Sequence, residues 1–138
     1  MELGLPPQWT VNTCAMGHCL ITLYEATGDE KYWDVVMSKV HYLQEDALRF
    51  GDHVLQHTVS ANNDFPEQAW ADTLFMAAFF LLRVGVKLNN AEMIDDALNQ
   101  YYWHIHYLRH GIGRPGICPS PVKTGHVVTG NIIIAMVI

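Results

Sequence analysis

The sequence predicts an all-α fold built from repeated helical hairpins. Apolar residues recur at helical spacing through most of the chain, with almost no alternating strand signal. Turn and capping residues fall between consecutive periodic segments. A short motif also recurs, as Val40-His41-Tyr42-Leu43 near the end of one helix pair and Ile105-His106-Tyr107-Leu108 near the end of the next. Hairpins repeated in this way stack to share a core. The period is about 65 residues, longer than in the usual solenoids.

The first two predicted helices run from Thr13 to Ala26 and from Glu30 to Leu48. Their turn is Thr27-Gly28-Asp29, where Gly28 suits a left-handed helix end and Asp29 caps the next helix beside Glu30. Phe50 to Phe65 follows as a polar loop rich in Asn, Asp and His, which lengthens the repeat and can wall a pocket. The second pair runs from Pro66 to Val84 and from Ala91 to Leu108, with Gly85 and Asn89-Asn90 as its turn. His110 to Pro121 holds three Gly and three Pro and is irregular. Gly130 leads into the apolar run Asn131 to Ile138, which reads as a helix cut before its end. The expected organisation is a single partial domain over 1–138: regular hairpins at 12–108, an irregular segment at 109–123 and a truncated last helix at 124–138.

A chain of 138 residues with half of them hydrophobic is the size of one domain and argues against disorder. Its net charge of −6, with only 8 Lys and Arg and no basic run, argues against a nucleic-acid surface. Three cysteines, Cys14, Cys19 and Cys118, give no disulfide framework and suit a reducing, cytoplasmic setting. The opening Met-Glu-Leu-Gly-Leu-Pro-Pro lacks the regions of a signal peptide, and Asp72 and Arg83 interrupt the longest apolar stretch, so no membrane span is expected.

Asp72 is the only charge between Ala69 and Leu82. A carboxyl held among Trp70, Phe75, Met76 and Phe79 would be desolvated, would hold a proton near neutrality and could serve as a general acid. Two placements are open. Asp72 can be the N-cap of a helix starting at Thr73, or Asp64 can cap a helix with Pro66 at its first position, which puts Asp72 inside.

Two segments carry a resemblance: Leu20-x-x-Leu23-Tyr24-Glu25-x-Thr27-Gly28-Asp29-Glu30-Lys31-Tyr32 and, more specifically, Trp70-Ala71-Asp72-Thr73-Leu74-Phe75-Met76. From about Asn12 to Leu108 the chain resembles the unsaturated glucuronyl and rhamnogalacturonyl hydrolases of glycoside hydrolase family 105. The resemblance implies an (α/α)6 barrel of six hairpins, of which this chain supplies two and the start of a third, as an interior segment. It implies an oligosaccharide substrate whose terminal uronic acid carries a C4=C5 double bond, removed by hydration, with no metal or organic cofactor. The family's catalytic aspartate falls on Asp72. By the same resemblance Trp70 belongs to the sugar-binding wall and His57 contacts the unsaturated uronate; from the residues alone, Trp70 reads first as core packing and His57 first as a solvated loop histidine.

The chain departs from the family pattern in places. A second acidic residue near the start of the first helix is absent from Val11-Asn12-Thr13. The family's Gly-Leu-x-x-His and Trp-x-Arg-Gly-Asn segments are replaced by Gly113-Arg114-Pro115-Gly116-Ile117-Cys118 and Val127-Val128-Thr129-Gly130-Asn131. These departures support a competing expectation, an inactive or incomplete helical-hairpin module that associates with itself or with a partner through an exposed apolar face. A zinc site is not expected, since His104 and His106 would point about 200° apart on a helix.

Overall fold

The computed structural model describes residues 9–51, 53–60 and 62–110. The irregular segment and last helix expected beyond His110 lie outside these residues. A 3-10 turn, Asn12–Met16, leads into α1 (Gly17–Thr27). Helix α2 (Glu30–His41) returns beside it and loosens into a π-helical turn, Tyr42–Asp46. A short antiparallel hairpin follows, β1 (Arg49–Phe50) with β2 (Val54–Leu55), pairing Arg49 with Leu55 and Phe50 with Val54. The second helix pair begins with α3 (Ala71–Thr73), continues without a break through the π-helical segment Leu74–Phe79 into α4 (Phe80–Leu88), and closes with α5 (Ala91–His110).

The first turn forms as its residues dictate. Gly28 takes φ +67° and its N–H donates to Tyr24 O at 2.8 Å, while Asp29 accepts from the Lys31 N–H at 3.1 Å. In the second turn the expected part of Gly85 passes to Asn89, which takes the left-handed conformation at φ +53°. Asn90 then caps α5 by accepting from the Met93 N–H at 3.1 Å. Gly85 is instead buried inside α4 because α5 runs against it: a Cβ there would meet the Ile94 backbone N at 3.2 Å.

The helices enclose one main core. Val11, Cys14 and Ile21 from the first segment meet Val36, Val40 and Leu43 from α2, Ala77, Phe80, Leu81 and Val84 from the third rod, and Met93 and Ala97 from α5. The loop between the pairs departs from the open, polar segment expected for it. Val54, Leu55, Gln56, His57 and Thr58 are buried, and a second small core gathers Phe50, Val54, Ala69 and Tyr107. Its polar groups are satisfied from the helices, as burial requires. Gln100 on α5 accepts from the Leu55 N–H at 2.9 Å and donates to His53 O at 3.0 Å. Arg49 grips Asp96 of α5 through two bonds of 2.9 and 2.8 Å and donates to Leu43 O at 3.0 Å.

The π-helical segment shifts the hydrogen-bond register, and two of its carbonyls are served from other elements. His18 Nε2 donates to Phe75 O at 2.9 Å while its Nδ1 accepts from Arg83 at 3.2 Å; the Tyr101 hydroxyl donates to Leu74 O at 3.5 Å. These bonds tie α1 and α5 to the rod that carries Asp72. Among the described residues no helix is long and apolar enough to cross a membrane.

Candidate active site

Asp72 stands at the mouth of the third helical rod. Phe65 and Glu67 take positive φ angles of 41° and 55°, turning the chain so that the helix starts only at Ala71, with extended Trp70 before it. Neither expected placement of Asp72 holds, as N-cap or in a helix opened by Asp64 and Pro66: it is the second residue of α3, where the helix dipole favours a carboxylate. The expected burial among Trp70, Phe75, Met76 and Phe79 is also overturned. Its side chain is 52% exposed, because it lies on the open side of the first turn while Thr73 and Leu74 take the buried side.

His57, by contrast, is 2% exposed and far from a solvated loop histidine. Its backbone N–H donates to Gln68 O at 3.0 Å, pairing the loop with the strand-like approach to Trp70. Its ring stacks on Trp70, with centroids 4.4 Å apart and planes 14° from parallel, and Phe65 closes the stack at 5.3 Å from His57 and 5.0 Å from Trp70. Trp70 is partly buried and fixed by its Nε1 donating to Gln68 Oε1 at 3.1 Å. The three residues singled out in the sequence therefore meet. Nδ1 of His57 lies 3.5 Å from Asp72 Oδ1, and Trp70 covers the ring.

The neighbours hold the loop in place. Gln56 accepts from the Glu67 N–H at 2.9 Å and donates to Asp64 O at 2.6 Å. Thr58 accepts from the Val11 N–H at 2.8 Å, and its carbonyl accepts from the Asn12 N–H at 3.1 Å, which brings the start of the first helix beside the histidine strand. Burial pushes the His57 pKa below the usual histidine value, and the Asp72 carboxylate offsets this in part. A neutral imidazole beside an accessible carboxyl, walled by an indole, can bind a sugar ring and exchange a proton with it.

Sequence reasoning missed two residues here. Thr73, fully buried, places Oγ1 3.2 Å from His57 Nδ1. His104, also fully buried on α5, has its pKa pushed down to about 4, chiefly by burial, with His57 adding to the effect. His104 was legible after all, because the buried positions Met93, Ala97, Gln100, His104 and Tyr107 form one stripe at helical spacing.

The Glycosyl Hydrolase Family 88 model matches residues 6–110. The chain is 43% identical over 105 residues to the unsaturated rhamnogalacturonyl hydrolase YesR of Bacillus subtilis, an alignment covering 75% of this chain and 30% of that protein. A crystal structure of a possible member of the glycoside hydrolase 105 family from Klebsiella pneumoniae superposes with a TM-score of 0.65 at 26% identity, over 80% of this chain and 28% of that one. The chain thus spans about a third of the length of the relatives it matches. The helical hairpins are those of an (α/α)6 toroid.

Proposed function

This chain belongs to Glycosyl Hydrolase Family 88, and from that premise we propose that it is a hydrolase acting on unsaturated uronyl oligosaccharides of the rhamnogalacturonan type, as in pectin breakdown. The observation that supports this most directly is the solvent-open Asp72 carboxyl set 3.5 Å from a buried histidine that stacks on Trp70. The kinship to YesR supports the substrate class.

In this reading the sugar seats against Trp70 and excludes water from the mouth of α3, supplying the desolvation that Asp72 lacks in the free protein. Asp72 donates its proton to C4 of the double bond, and a water attacks C5 and returns a proton to the carboxylate. The resulting hemiketal opens and releases the next sugar. His57, buried behind Trp70, braces the indole against which the sugar seats and faces the Asp72 carboxyl. Cys14, buried, and Cys19, exposed, are both free thiols, which supports a reducing compartment such as the cytoplasm. Phe75 and Phe79, each more than a third exposed, supply an apolar edge for self-association.

Loss of the ultraviolet absorbance of the unsaturated uronate, followed with lyase-generated disaccharides, tests the proposal. Wild type should consume the chromophore and Asp72→Asn should be slower by about 100-fold or more. No consumption by a chain shown by circular dichroism to be folded would reject catalysis and leave the helical-hairpin module.

A further inference from the structure

We propose that the Thr73 hydroxyl is a positioning group for this chemistry: it donates to Nδ1 of His57, fixes that imidazole in its neutral Nε2–H form, and so keeps the histidine from drawing off the proton that Asp72 delivers. The inference rests on the reading of Asp72 as proton donor.

His57 Nδ1 faces two oxygens, Thr73 Oγ1 at 3.2 Å and Asp72 Oδ1 at 3.5 Å. They impose opposite states on the ring. An ionised carboxylate only accepts, so pairing with it requires a hydrogen on Nδ1, either as the Nδ1–H tautomer or, with Nε2 also protonated, as the imidazolium that has taken up the proton. A hydroxyl can donate, and its O–H satisfies a bare Nδ1 that would otherwise be a buried acceptor with no donor. The hydroxyl is the nearer of the two, and it belongs to a fully buried side chain that faces a ring only 2% exposed.

The surroundings of the ring favour the neutral form. Trp70 and Phe65 cover its faces with uncharged rings. Among the described residues the titratable groups facing it are Asp72 from α3 and His104 from α5, and a charge on His104 would oppose a charge on His57. Among the described residues Asp72 is therefore the one group that would hold an imidazolium there, and Thr73 competes with it for the same nitrogen. In the hydration step the donated proton passes from Asp72 to C4 and the attacking water restores it, while His57 neither gains nor loses one.

Nitrogen-15 spectra of the histidine rings of the whole chain test this without substrate. The wild type should show His57 Nδ1 at the position of an unprotonated nitrogen. Thr73→Val, which keeps the shape and removes the hydroxyl, should convert it to a protonated one, and Thr73→Ser should restore it. In the absorbance assay Thr73→Val should lose about 10-fold in kcat, the scale of one buried hydrogen bond, with the alkaline limb of its pH profile moved to lower pH; Thr73→Ser should recover both. A protonated Nδ1 in the wild type, or a Thr73→Val variant with unchanged ring signals and pH profile, overturns the proposal. If Thr73→Val does not fold, the wild-type spectrum decides alone. A wild type without turnover defeats the reading of Asp72, and the ring signals still decide the role of Thr73.

Discussion

The rings of His57 and Trp70 lie stacked, 4.4 Å between centroids, although twelve residues separate them in the chain. Two constraints bring them together. The loop carrying His57 is sewn to the segment before Trp70 by the His57 N–H and Gln56 bonds, and Phe65 turns back to close the same stack.

Trp70 should therefore tolerate only an aromatic replacement. Trp70→Phe keeps a face for both His57 and a sugar and should change KM by less than about 3-fold, whereas Trp70→Ala removes a stack of about 1 kcal/mol and should raise KM by about 10-fold. Comparing the two variants in the absorbance assay and in urea unfolding checks both parts. Equal KM values for Phe and Ala would show that the indole face is not used for binding.

The Arg49 and Asp96 pair anchors the hairpin that leads to His57. Burial raises the Asp96 carboxyl, but the two Arg49 bonds outweigh it and hold the group below the usual carboxylate range. Arg49→Lys loses the two-pronged geometry and the Arg49 bond to Leu43 O, so it should cost about 2 kcal/mol in urea unfolding. An unaltered midpoint would show that the hairpin is held by its apolar residues alone.

Acid should weaken the fold before carboxylates titrate fully. Burial depresses the pKa values of His18, His57 and His104, the last to about 4, from an ordinary value of 6.5. The unfolded chain takes up protons on these rings as pH falls through 6.5 while the folded chain does not, so acidification favours unfolding. The stability they contribute is lost as pH falls below 6.5, and for His104 the loss continues to about pH 4 and amounts to something on the order of 3 kcal/mol. Urea midpoints between neutrality and pH 4 should drop steeply for wild type and less steeply for His104→Gln.

Gly85→Ala sets helix propensity against packing. Alanine is better than glycine in a helix interior by about 1 kcal/mol. Its Cβ, however, would stand 3.0 Å from Ile94 Cγ1 and 3.2 Å from the Ile94 backbone N, and backbone cannot swing aside. Overpacking of this kind costs about 1–3 kcal/mol, so the net effect should be a lower melting temperature. A rise would mean that α4 and α5 separate without penalty.

The hairpins, the Gly28 and Asp29 turn and the motif from Trp70 to Met76 were legible in the sequence, because each depends on residues a few positions apart. Helical spacing places apolar side chains on one face whatever they pack against, and a left-handed glycine followed by a capping aspartate closes a helix locally. The tertiary structure decided the rest. Gly85 is buried in mid-helix rather than ending it because α5 passes too close for a side chain. The polar-looking segment around His57 is interior because partners 45 and 47 residues away, Gln100 and Asp96, satisfy its backbone and its arginine. Asp72 lies open where burial was expected, since its exposure depends on where the Phe65 and Glu67 turn lets the helix begin. Such long-range pairings leave no local trace in composition or spacing, and they set the geometry of the candidate site.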